Sequence, residues 1–373
     1  MKNNQCRVLY CSPLDLSTGG GIPRCTNHIL DYYKIHNKSN IILRVFPMDR
    51  SIHVAEDIGR INRILFGVRD YIKIIRSIID EVNLNTYDMV HITSSASLGL
   101  IKDIILLKKL RNKNLQTVVH FHFGRIPELC VKDNWEWKLI KKTISLATKI
   151  IVIDNASYQT LIKQGFKNVF LLPNPITPQI SSIIEKNKII SRIPRKIVFV
   201  GHVYKTKGVF ELVEACSSIP NITLNIVGKY EKEIKKQLLN LIGGSKGTDW
   251  ITFTGNMSFE NVVKEMLSCN VFVLPTYTEG FPNVILESMA CGCPIVTTNV
   301  GAIPEMLDIE NGEINGICIE PQQILQLKIA IERMLNNNDF AMSCGKNAQK
   351  RVNEMYEISV VWEQMCDIWN KKL

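Results

Sequence analysis

Short apolar, β-rich runs alternate with longer stretches of helical period along the whole chain, and the scheme is played twice. In the first half the runs fall at 7–11, 41–46, 89–92, 117–121, 149–153 and 169–172, with helical patterns such as 22–35, 58–82 and 135–146 between them. In the second half they fall at 196–201, 223–227, 251–254, 271–274, 294–298 and 316–319. Alternation of this kind specifies βαβ units and mainly parallel sheets. The halves are separated by Pro173-Asn174-Pro175 and a polar, basic stretch to Arg195, where proline excludes regular ladders. A chain of 373 residues is long enough for two cores. The expected architecture is therefore α/β, with two Rossmann-like, doubly wound parallel-sheet domains at 1–175 and 176–356. The apolar end of the 338–373 helical stretch, about 357–373, is expected to pack back on the first domain. Ligands bind such sheets outside the carboxyl ends of the strands, which directs attention to a cleft between two facing domains.

Composition narrows the function classes. Hydrophobic residues make up 46% and charged residues 21%, as in ordinary soluble domains. No stretch approaches the roughly 18 uninterrupted apolar residues of a membrane span. The run at 7–11 is stopped by Ser12, Pro13 and Asp15 and reads as a first strand, not a signal peptide. The eleven cysteines are scattered without a Cys-x-x-Cys pair, and Cys291 and Cys293 are too close in sequence for a zinc site. Reduced core thiols in a cytoplasmic protein are expected. The net charge of +10 admits nucleic acid, an anionic membrane surface or a phosphorylated substrate as partner. No nucleic-acid module is present, which excludes the first. Segment 102–113 (KDIILLKKLRNK) places Ile101, Ile104, Ile105 and Leu107 beside Lys102, Lys108, Lys109 and Arg111. As a helix it is either an ordinary domain helix with a solvated basic face or a peripheral contact for an anionic bilayer.

The region richest in chemistry is 274–287, LPTYTEGFPNVILE. A strand ends at Leu274, Pro282 stands where a helix should begin and Gly292 where it should end. Gly280, Phe281, Asn283 and Val284 then lie at a helix N-terminus, whose free N–H groups and dipole suit phosphate. Glu279 and Glu287 flank it. Two carboxylates would repel a lone phosphate but can accept hydrogen bonds from hydroxyls on either side of one, as in a nucleotide-sugar. Equally, they can simply complement the helix dipole.

Glu279-x7-Glu287 with Gly280-Phe281-Pro282, continuing through Ala290-Cys291-Gly292-Cys293-Pro294 and Val300-Gly301-Ala302-Ile303-Pro304-Glu305, resembles the signature of retaining GT-B glycosyltransferases of family 4 (glycosyl transferases group 1). The resemblance covers most of the second half. It implies the GT-B fold, a nucleotide-sugar donor and catalysis with retention of configuration.

Residue roles follow from that resemblance. Glu279 would bind donor-sugar hydroxyls and Glu287 the ribose. In VFVGHVYKTKGV (198–209), Lys207 would meet the diphosphate, while His202 stands where the family commonly has Arg. An imidazole is not a fixed charge at neutral pH, so a second permanent cation is missing there. Asn256, in Thr254-Gly255-Asn256-Met257, would lie against the base. Gly20 and Gly21, in Thr18-Gly19-Gly20-Gly21-Ile22, would border the donor phosphate, although a tight turn explains these glycines too. In TVVHFHFG (117–124), His120 and His122 share a face by strand alternation. His122, next to the glycine-containing turn, is favoured over His120 as the residue near the reacting carbon. Asp-x-Asp, a metal-holding motif of other glycosyltransferases, is absent, so no metal or other cofactor is expected. The implied partners are a nucleotide-sugar, UDP-linked hexose or N-acetylhexosamine, and a glycan or lipid-linked saccharide acceptor in surface polysaccharide assembly. The rival reading is a non-catalytic sugar-nucleotide binding protein of the same fold.

Overall fold

The computed structural model describes residues 5–16, 21–36, 40–49, 60–113, 115–244 and 248–371. The chain divides into two compact units, Met1–Asn174 together with Val361–Leu373, and Pro175–Val360.

The first unit carries a six-stranded sheet of β1 (Cys6–Ser12), β2 (Ile41–Pro47), β3 (Met89–Ser94), β4 (Gln116–Phe121), β5 (Lys149–Val152) and β6 (Val169–Leu171), in the order β2-β1-β3-β4-β5-β6. The second carries β7 (Lys196–Val200), β8 (Thr223–Val227), β9 (Ile251–Gly255), β10 (Val271–Leu274), β11 (Ile295–Thr298) and β12 (Ile317–Ile319), in the order β12-β11-β10-β7-β8-β9. Every pairing is parallel. Parallel strands covered by helices on both faces need continuous apolar sequence, and Val8, Leu9, Tyr10 and Cys11 of β1 are all fully buried. The direction in which successive strands are added reverses once in each sheet, between β1 and β3 in the first unit and between β7 and β10 in the second. Such switch points open a crevice at the carboxyl edge.

Helix starts follow local side-chain chemistry. Asn134 accepts from the Trp137 amide at 3.0 Å, Asp154 from Ser157 at 2.7 Å and Ser258 from Asn261 at 3.3 Å. The 338–373 stretch is two helices, Asn338–Met355 and Ile358–Asn370, the second beginning within a residue of the expected 357. One expectation needs correction. In the helix Gly99–Leu110, Lys102 does not belong to a solvated basic face: it is buried and lies 2.9 Å from Asp103. Ile104, Leu106, Leu107 and Leu110 fill the core of the unit, which leaves Leu98, Ile101 and Ile105 exposed beside Lys108, Lys109 and Arg111.

Residues from Val361 onward complete the first unit with buried Val361, Trp362, Met365 and Trp369. Polar contacts fix this segment. The buried Lys149 ammonium donates to the Ile368 and Trp369 carbonyls at 2.8 and 2.9 Å, neutralising the negative end of the last helix. Trp369 Nε1 donates to His91 Nδ1 at 3.0 Å, and the His91 ring stacks on Tyr10 with centroids 4.4 Å apart.

Lys149→Met strands those two carbonyls and should cost about 1–3 kcal/mol of stability, read by urea unfolding. Acid should act on the same region. Burial pushes the His91 imidazole down to about 3 and His120 well below its ordinary value, so the fold binds these rings neutral. In the unfolded chain they take up protons near pH 6.5, so stability is lost as pH falls below that value. His91 alone accounts for about 2 kcal/mol at pH 5. Asp154, raised to about 6 by burial, works the other way and offsets part of this. The melting temperature should fall between pH 7 and pH 5, and a flat profile would contradict neutral burial.

Candidate active site

The loops after β7 and β10, neighbours at the second unit's switch point, are joined backbone to backbone. The chain leaves β7 at Gly201, makes a tight turn over Lys205–Lys207 and enters the helix Val209–Ser217 through Gly208, which has φ +70°. A Cβ on Gly208 would sit 1.9 Å from the Pro275 carbonyl oxygen, so only glycine allows this approach. The Thr206 carbonyl accepts from the Tyr277 amide at 2.8 Å and from Thr276 Oγ1 at 3.3 Å. Lys207 is thereby held against Glu279, and their side chains form a short ion pair.

The other side of Glu279 is fixed by the loop after β11. Gly301, at φ +57°, lies so close that a Cβ would meet the Glu279 carbonyl oxygen at 2.3 Å, and the Ala302 amide donates to the Gly280 carbonyl at 2.9 Å. The helix Asn283–Ala290 follows, with Pro282 as its N-cap. The amides of Asn283 and Val284 open this helix, where no preceding turn supplies an acceptor. Glu287 is buried one turn further in. The Phe281 ring is buried against Tyr356, centroids 5.7 Å apart, and anchors the loop.

Two neighbouring loops border this cluster. Gly201 donates to Val227 at 2.9 Å and Gly228 to Gly255 at 3.0 Å, and a Cβ on Gly228 would fall 2.0 Å from the Gly201 carbonyl oxygen. His202 and Asn256 are exposed on the loops that begin at Gly201 and Gly255, and the His202 ring lies 5.6 Å from that of Tyr204. The structure thus brings together Lys207, Glu279, Gly280, Asn283, Val284 and Glu287, with His202 and Asn256 on the adjoining loops. Sequence reading missed Gly228 and the hydrogen bonds of Thr206 to Thr276 and Tyr277. A glycine directly after a predicted strand was the available signal for the first; the second has none.

In the first unit, His122 stands just beyond β4, half-buried, its amide donating to the Ser94 carbonyl at 3.1 Å. Its ring lies 4.0 Å from that of His120, so the two do share a face. His120 is buried inside the strand, 5.5 Å from the ring of His91. Burial pushes His122 down to about 4, with Asn174 pulling the other way. Among the described residues, no group of three His, Cys, Asp or Glu side chains is placed to hold a metal ion. Gly21 is the exposed first residue of the helix Gly21–His36 and has open space around it; Gly20 lies outside the described residues.

Residues 182–351, which include every loop of the Lys207–Glu279 cluster, match the family Glycosyl transferases group 1. The capsular polysaccharide biosynthesis glycosyltransferase CapM of Staphylococcus aureus is 25% identical over 367 residues, covering 91% of this chain and 88% of CapM. Sucrose-phosphate synthase of Thermosynechococcus elongatus superposes with a TM-score of 0.74 at 17% identity, covering 98% of each chain. Anabaena HepE, in complex with UDP-glucose, superposes with a TM-score of 0.66 at 17% identity, covering 97% of this chain and 98% of HepE. The two parallel six-stranded sheets are those of the GT-B fold, and this chain is a glycosyltransferase.

Proposed function

We propose that the enzyme transfers a hexose or N-acetylhexosamine from a UDP-linked donor, with retention and without a metal ion, to a glycan or lipid-linked acceptor in surface polysaccharide assembly. The observation that carries this reading is the Lys207–Glu279 pair at the mouth of the helix Asn283–Ala290, with Glu287 one turn inside. It offers, in order, a carboxylate for sugar hydroxyls, a cation and helix amides for a diphosphate, and a second carboxylate for ribose hydroxyls. UDP-glucose bound to HepE and the capsular role named for CapM support the donor and pathway class.

In the proposed reaction the bond from the anomeric carbon to the phosphate oxygen breaks as one from that carbon to the acceptor oxygen forms. The acceptor proton passes to the departing phosphate. Lys207 and the amides of Asn283 and Val284 meet the charge that develops on the diphosphate, which is stabilisation by preorganised donors. His122, neutral through burial, can donate an N–H to a sugar oxygen without adding a cation beside the reacting carbon. His202 and Asn256 would border the donor, with Gly21 on the acceptor-side unit. Among the described residues no helix is long and apolar enough to cross a membrane. Contact with an anionic bilayer is assigned to the exposed Leu98, Ile101 and Ile105 with Lys108, Lys109 and Arg111.

A thermal-shift panel of UDP, GDP, ADP and CMP, each with Mg²⁺ and with EDTA, tests the donor and the metal together. UDP should stabilise equally in both, by roughly 2.7 kcal/mol at a hundred times its Kd. Silence from all four would favour the non-catalytic rival. Glu279→Ala should lower kcat/KM about 10–100-fold, the worth of a charged hydrogen bond, while UDP affinity is kept or rises, because Lys207 loses its resting counter-ion. Reversing Lys108, Lys109 and Arg111 to Glu should abolish sedimentation with phosphatidylglycerol vesicles at low salt; unchanged sedimentation would remove the membrane assignment.

A further inference from the structure

Glu211 has no place in the reaction scheme, yet it is a half-buried carboxylate in the first turn of the helix that follows Lys207. It accepts a short hydrogen bond from the hydroxyl of Tyr277, in the loop that carries Glu279. Its other oxygen, Oε2, is buried with no hydrogen-bond partner among the described residues. An acid in a first turn complements the helix dipole, but a hydrated carboxylate does so without orphaning an oxygen. Stability is therefore a poor reason for this arrangement.

Tyr277 reaches the Lys207 turn at two points. Its amide donates to the Thr206 carbonyl at 2.8 Å, just before Lys207, and its hydroxyl reaches Glu211, beyond Lys207. One hydrogen bond between two loops is a pivot. Two, at opposite ends of one rigid aromatic residue, fix orientation as well as separation. Burial, reinforced by the neighbouring carboxylate, pushes the Tyr277 phenol well above its ordinary value, so it stays a donor. A phenol donating to a carboxylate is a charge-assisted bond, of the stronger kind.

The rest of the loop is already fastened on the sheet side. Thr276 is fully buried, and its hydroxyl is shared between the Thr206 and Thr278 carbonyls at 3.3 and 3.2 Å. Thr298 Oγ1 donates to the Thr276 carbonyl at 2.5 Å. Those bonds hold the start of the loop. The phenol–carboxylate bond ties its continuation, two residues before Glu279, to the helix.

We infer that Glu211 and Tyr277 are positioning residues, whose hydrogen bond braces the Glu279 loop against the helix after Lys207 and so sets the spacing of the Lys207–Glu279 pair for sugar transfer. Its effect on turnover rests on the proposed donor reading; the brace itself is a property of these loops. Two readouts on the full chain keep them apart. Hydrogen–deuterium exchange across 275–283 should speed up about tenfold in Tyr277→Phe and in Glu211→Ala. It should stay near wild type in Glu211→Gln, whose carboxamide oxygen still accepts from the phenol. In hydrolysis of UDP-glucose or UDP-N-acetylglucosamine, Tyr277→Phe and Glu211→Ala should each lower kcat about tenfold with KM within about threefold. Glu211→Gln should recover most of that loss, and the double variant Tyr277→Phe/Glu211→Ala should lose no more than either single one. Unchanged exchange in Tyr277→Phe, unchanged kcat in an enzyme that turns over, or additive losses in the double variant would overturn the inference. So would equal losses in Glu211→Gln and Glu211→Ala, which would make charge at the helix terminus the cause. A protein that shows the exchange pattern but neither binds UDP nor hydrolyses a UDP-sugar would instead remove the donor reading and leave the brace standing.

Discussion

Glu279 is held by backbone, and the rest of the candidate site depends on that. The loops after β7 and β11 close on the loop after β10 from both sides, at Gly208 against Pro275 and at Gly301 against Glu279, nearer than any side chain permits. Hydrogen bonds from Tyr277 to Thr206 and from Ala302 to Gly280 complete the clamp. Preorganisation of this kind matters because a charged group placed by backbone need not be reordered when a ligand arrives. Lys207, a long and otherwise mobile side chain, inherits its position from the turn at Gly208.

Both units solve the same problem at the same place. A parallel sheet whose strand order reverses leaves a crevice at its carboxyl edge, and the loops leaving the two flanking strands diverge around it. In the second unit that crevice gathers Lys207 and Glu279. In the first it gathers Lys102 and Asp103, with His122 one strand away. The first unit pays for this with buried polarity: His91, His120, Lys149 and Asp154 all sit in its interior, and Trp369 and the last helix carbonyls supply partners for two of them.

Much of this was legible in the sequence because it follows from period and punctuation. All twelve strands lie where apolar β-rich runs fall, displaced by at most a residue or two, since burial on both faces demands unbroken apolar sequence. The Glu279–Glu287 region was legible because strand, glycine, proline and helix signals coincide there. What failed was three-dimensional direction. Lys102 looked like part of a basic face because charge is usually solvated, and only tertiary packing shows it turned inward against Asp103.

The Lys207–Glu279 pair also bears on discrimination. Each group is the other's counter-ion, and the Glu279 side chain is only 13% exposed. A ligand that offers only phosphate draws away the lysine and leaves that carboxylate short of both cation and water, a costly state for a group so nearly buried. A ligand that offers phosphate and hydroxyl donors together replaces both halves of the pair at once. Under the proposed donor assignment, the resting contact would act as a two-key lock, subtracting affinity from fragments, spent nucleotide among them, and returning it to the intact molecule.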